Sequence, residues 1–202
     1  MDLYIPTIED VRAARRHRAD RKTRDPFYYQ ARELVDRAIV EKSWPSVAEA
    51  LGVVLKTWNK NYYRFFATFD EKHLADIVCL IQRHAPTILS FRQRSIEAYS
   101  ETDEPTVVDL FQDFEKVVGR VGAAKCLHLL APSFFPLWDT HIAKGYRLRL
   151  RRRGENGPLY CRFMRVTKAQ YEALGGEQVI GPNPLKALDE CNYYKYTEKR
   201  MP

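Results

Sequence analysis

Apolar residues recur at three- and four-residue intervals along nearly all of the chain. That spacing lines one face of an α-helix, whose period is about 3.6 residues, and the chain is therefore expected to be all-α. Over residues 27–42 it gathers Ala31, Leu34, Val35, Ala38 and Ile39, behind a Pro26 suited to a first helical position. Ser43-Trp-Pro-Ser46 breaks the pattern and offers a new N-cap. Val47, Ala48, Leu51, Val54, Leu55 and Trp58 then mark a buried helical face predicted to run on to Phe66. Asp70 starts another helix, carried by Leu74, Ile77, Val78 and Ile81, which Pro86 is expected to end or kink before a further helix over 88–99. Residues 100–105 read as a polar linker, 106–118 as an amphipathic helix and 123–130 as a short one, and Asp139 opens a last core helix to about Leu148. Further on, 160–166 reads as a short strand, and 167–174 and 185–191 as helices.

A chain of 202 residues suits one domain with a small appendage. The boundaries read as a basic N-terminal helix or arm over 1–25, a helical core over 26–150, and a small irregular C-terminal extension over 151–202 packed on that core. No apolar run approaches the ~18 residues of a membrane span. The start, MDLYIPTIEDVRAARR, lacks the basic-then-apolar pattern of a signal. A cytoplasmic protein with no membrane partner is expected. Cys79, Cys126, Cys161 and Cys191 lie 47, 35 and 30 residues apart, which fits neither paired zinc ligands nor a clustered iron–sulfur loop.

Charge narrows the partner. Thirty-three Lys and Arg against 26 Asp and Glu give a net +7, and 12% of the residues are aromatic. Cations displace counterions from phosphates and rings stack on bases, as a nucleic-acid protein requires. Seven of the cations fall between Val11 and Arg24 and six between Lys144 and Arg153. Each run is equally readable as a phosphate-tracking surface or as a solvated tail.

One constellation carries chemistry. Gly119 and Gly122 allow a tight turn between two helices, flanked by Arg120 and Lys125. Such a turn leaves backbone N–H groups uncovered at a helix start, where a phosphate binds; a corner that only packs the core has the same spelling. Asp139, fourteen residues after Lys125, sits at a predicted helix N-cap, and capping alone would account for it. The path from Lys125 can nevertheless bring that carboxylate back towards the turn.

Together these residues resemble the helix–hairpin–helix DNA glycosylase superfamily, typified by endonuclease III. In that family a hairpin like L-P-G-V-G-x-K-T-A precedes a segment like V-D-T-H-I. The counterparts are Val118-Gly-Arg-Val-Gly-Ala-Ala-Lys-Cys126 and Trp138-Asp-Thr-His-Ile142. The resemblance covers roughly residues 106–148 and implies a helix–hairpin–helix glycosylase-like fold acting on double-stranded DNA as a monomer. It implies that Asp139 stabilises the oxocarbenium-like sugar and orients water, and that Gly119, Arg120, Val121, Gly122, Ala124 and Lys125 hold the DNA backbone. Aligning Val121-Gly122 on the family hairpin puts Ala124 where bifunctional members carry a Schiff-base lysine, with Lys125 one residue later. A monofunctional hydrolase leaving an abasic site is therefore favoured over a lyase, with Lys125 the alternative catalytic group. No iron–sulfur cluster and no other cofactor is implied, apart from a structural cation at the hairpin. The chain is also similar to compact glycosylases of anti-phage defence, which remove hypermodified bases such as glucosylated hydroxymethylcytosine.

An extruded base needs apolar walls. Trp58, Asn61 and Tyr62 share a helix face and are candidates for one wall, with Trp138 and His128 as further pocket residues. A core aromatic stripe, and a packed core histidine, are the competing readings. Two other functions stay open: a non-catalytic DNA-binding module, and a helical RNA-binding or protein-interaction domain.

Overall fold

The computed structural model describes residues 4–20 and 26–199, with the side chains of 18–20 excepted. Among the described residues there are ten α-helices and no strand. They are α1 (Ile8–Asp20), α2 (Pro26–Val40), α3 (Trp44–Trp58), α4 (Lys60–Phe65), α5 (Glu71–Arg92), α6 (Glu104–Leu130), α7 (Thr140–Gly145), α8 (Gly157–Ala173), α9 (Gly176–Ile180) and α10 (Pro184–Tyr196). Short 3-10 turns at Ile96–Ala98 and Glu101–Asp103 join α5 to α6; the first lies where a helix over 88–99 was expected, the second within the expected polar linker.

The buried stripes follow the helical period. Ala31, Val35 and Ala38 of α2 meet Val47, Leu51, Val54 and Leu55 of α3, and α3 packs in turn on α5 and α6. α5 runs through Pro86 to Arg92, because Ala85, Ile88 and Phe91 continue the buried face of Ile77, Leu80 and Ile81. Burial of that stripe outweighs the backbone bond that proline cannot make.

The C-terminal part departs most from expectation. Residues 160–166 form the middle of a helix, α8, and not a strand. Leu159, Tyr160, Phe163, Met164 and Thr167 lie at helical spacing and are buried against α6. Far from irregular, the extension is three helices whose Tyr160, Phe163, Met164, Leu185 and Leu188 belong to the one hydrophobic core. α10 packs against α1, α7 and α8. The basic N-terminal run is partly docked: Val11 and Ala14 are buried, and Arg15 donates to the carbonyls of Ile180 and Pro182. Arg21, Lys22 and Arg24 lie outside the described residues.

Tyr28, Trp58 and the core beneath them prepare one wall of the site. The Tyr28 and Trp58 rings stack with centroids 5.5 Å apart, and His128 stacks on Tyr28 at 5.7 Å.

Candidate functional site

α6 turns sharply at Gly119, whose φ of 76° and ψ of 162° are reserved for glycine. A side chain there would also collide with the Tyr62 ring, 2.7 Å from the position its Cβ would take. The break strips the preceding carbonyls of their helical donors, and side chains from elsewhere replace them. Asn59 Nδ2 donates to Val118 O at 3.2 Å and the Tyr62 hydroxyl to Val117 O at 3.3 Å. Arg153 Nε donates to Glu115 O at 3.2 Å, and its Nη2 to Lys116 O and, at 3.3 Å, Val117 O.

Arg153 is itself held by a buried knot. The Glu115 carboxylate is fully buried and accepts from the backbone N–H and the Nδ2 of Asn156, which also gathers the carbonyls of Arg151 and Arg152. Arg120 Nη1 donates to Arg151 O at 3.3 Å. The basic loop is thereby fastened beside the turn, with Arg147, Arg149, Arg151 and Arg152 exposed.

Beyond Gly119 the chain is helical again over 120–130, and its first residues border a cavity of about 880 Å³. Trp58, Asn61, Tyr62, Trp138 and Asp139 all line that cavity, as do Gly119, Arg120, Val121 and Lys125. The fold thus brings together residues from three separate stretches that the sequence singled out. Trp138 is buried and donates its indole N–H to Arg120 O at 3.0 Å, which ties the Asp139 segment to the turn.

Asp139 caps α7: its Oδ1 accepts from the Ile142 N–H at 2.8 Å. Its Oδ2 meets the Thr197 hydroxyl at 3.4 Å. The cap fixes the carboxylate, which remains half-buried on the cavity wall. Lys125 donates Nζ to the Trp58 carbonyl and lies 5.7 Å from the centre of the Trp58 ring. Burial pulls its amine down to about 8, against the opposing attraction of Asp189 and Asp139.

Three residues of the expected set lie elsewhere. Gly122 is buried, and a Cβ there would meet Asn59 Nδ2 at 2.9 Å and Leu55 at 3.1 Å, so it serves close packing rather than a backbone contact. Ala124 is buried in the core. His128 stands behind the wall rather than on it. Its Nδ1 donates to Phe135 O and its Nε2 accepts from the Tyr28 hydroxyl, both at 2.8 Å, and burial drives it down to about 4.

Lys186, Asp189, His17 and Glu198, also at the cavity, gave no sequence signal. Lys186 and Asp189 of α10 line the cavity, joined at 2.6 Å, and the buried Lys186 ammonium lies 5.4 Å from the Trp58 ring centre. His17 of α1 and Glu198 meet at 2.9 Å on the same rim. Among the described residues no group of three or more His, Cys, Asp or Glu could hold a metal, and no helix is long and apolar enough to cross a membrane. The chemistry on offer is a fixed carboxylate and a desolvated amine facing an aromatic wall beside a helix start. No family model, curated protein or solved structure matches the chain.

Proposed function

We propose that the chain is a DNA glycosylase that hydrolyses the N-glycosidic bond of an extruded base. The observation that carries this reading is Asp139: a helix-capping carboxylate, held by the Ile142 N–H, on the wall of a base-sized or larger cavity that also holds the Gly119 turn, Trp58 and Lys125. In the reaction the C1′–N bond breaks and its electron pair leaves with the base. Positive charge grows on C1′ and the ring oxygen, where a fixed carboxylate stabilises it without reorganising. Water adds to C1′ and gives up a proton to Asp139, leaving an abasic site. The turn, the helix start at Arg120 and the basic loop would hold the phosphates on either side.

Size favours a modified base. Pockets of about 300–1,000 Å³ enclose drug-sized molecules, so a cavity of about 880 Å³ exceeds what a flat pyrimidine fills. Polar side chains such as Asn61, Lys125, Lys186 and Asp189 suit a bulky polar substituent of the hypermodified-cytosine kind. Lys125, held against the Trp58 carbonyl, favours hydrolysis over a lyase step.

The test is base release from a panel of ordinary, uracil-bearing, oxidised, alkylated and hypermodified DNAs, with alkali to reveal abasic sites. Asn caps a helix about as well as Asp, so Asp139→Asn should keep its unfolding midpoint and its DNA affinity and lose release at least a hundredfold. Tight, salt-sensitive binding without release from any DNA would leave a non-catalytic DNA-binding module. Undiminished release by Asp139→Asn would remove the carboxylate from the mechanism.

A further inference from the structure

Two adjacent phenylalanines stand exposed, the second of them at the cavity. Phe65 is 64% exposed and Phe66 75%, so core packing does not account for either. Phe66 lines the cavity and stacks at 6.2 Å on Tyr62, the ring that covers Gly119. Phe65 meets Phe66 edge-on at 6.4 Å. Cations surround the group. The Arg64 guanidinium lies 5.1 Å from the Phe65 ring centre, Arg153 lies 5.8 Å from Tyr62, and Lys60 and Arg120 share the cavity lining. Flat exposed rings interleaved with cations complement a strand whose bases are bare and whose phosphates are charged.

We propose that the Phe65–Phe66 turn is a stacking shelf for unpaired bases, which directs the protein to DNA already opened beside its target. This rests on the cavity being a nucleic-acid site, but not on the chemistry performed there. Tyr62, Phe66 and the cavity form one continuous surface, so a base leaving the duplex and the neighbour it abandons would meet aromatic rings in succession. Every base has a π-face, and the shelf therefore selects for unpairing and not for sequence.

The experiment compares the affinity of the full chain, at one salt concentration, for a paired duplex and for the same duplex with opposed unpaired bases. The opened DNA should bind about tenfold more tightly or better, the yield of a single good stack. Phe65→Ala/Phe66→Ala should bring that ratio to about twofold or less while leaving the unfolding midpoint and the affinity for paired DNA near parental. Phe65→Leu/Phe66→Leu, which keeps apolar surface without a flat ring, should lose the preference as well. Equal affinity of the parent for both DNAs, or a preference that survives the alanine pair, overturns the shelf. So does a parental dimer, seen in sedimentation, that the alanine pair dissolves, since the rings would then face a second copy. Base release reports separately: its absence with the preference intact ends the glycosylase reading and leaves the shelf standing.

Discussion

Replacing Gly119 by alanine tests whether the turn in α6 is obligatory. The backbone at φ 76° and ψ 162° lies in a region that essentially only glycine occupies, and a side chain there costs about 1–3 kcal/mol. The new methyl group would stand 2.7 Å from the Tyr62 ring, which must move and weaken its 3.3 Å bond to Val117 O; losing such a bond adds about 0.5–1.5 kcal/mol. The sum is about 2–4 kcal/mol, and at roughly 2–4 °C per kcal/mol for a chain of this size the melting midpoint should fall by about 5–15 °C. Urea unfolding is the assay, with an unchanged slope confirming that only stability moved. In a Tyr62→Ala background the contact is gone, so about 1 kcal/mol of the penalty should vanish and the backbone share should remain. A Gly119→Ala variant within about 0.5 kcal/mol of the parent would refute the reasoning. So would a penalty that disappears entirely without Tyr62, since the dihedral angles would then have cost nothing.

Three other outcomes follow from the same geometry. His128 titrates near 6.5 unfolded and about 4 folded; between those values only the unfolded chain takes the proton, so stability should fall as pH drops from 6.5 towards 4, by at most about 3 kcal/mol, and urea midpoints for a His128→Gln variant should lack that slope. Lys125 titrates near 10.5 unfolded and about 8 folded, so stability should rise with pH between those values; Lys125→Met should therefore stabilise the protein at pH 7 by about 1–3 kcal/mol, a gain that shrinks towards pH 10, and borohydride should trap no adduct between the parent and DNA. Arg149→Ala and Arg152→Ala, both at exposed positions of the basic loop, should each lower the slope of log affinity against log salt by about one with the unfolding midpoint unchanged.

Features that depend on one residue type at one place were legible in the sequence. Gly119 announced a turn that no other residue makes, and Asp139 announced a cap, which it forms with Ile142. The helical period located most core faces. Tyr160, Cys161, Phe163 and Val166 misled because aromatic and branched residues also suit strands, and only the approach of α6 shows which period they serve. Lys186 and Asp189 were silent because a Lys–Asp pair three residues apart spells an ordinary surface contact; α10 reaches the cavity through tertiary packing that no local pattern encodes. Asn59 carried no local signal, because its partner, Val118 O, is 59 residues away.

The carbonyls released at the α6 break are met by Asn59, Tyr62 and Arg153, three side chains that no stretch of continuous sequence could supply together. In descent this binds their fates. A chain that restored a straight helix at 119 would strand three donors, and one that lost Arg153 would leave acceptors bare in the middle of a helix. Relatives should therefore carry the glycine, the amide, the phenol and the guanidinium as a set, or have exchanged all four for another way of ending a helix. A search for kin that scores these positions jointly would reach further than one that scores each alone.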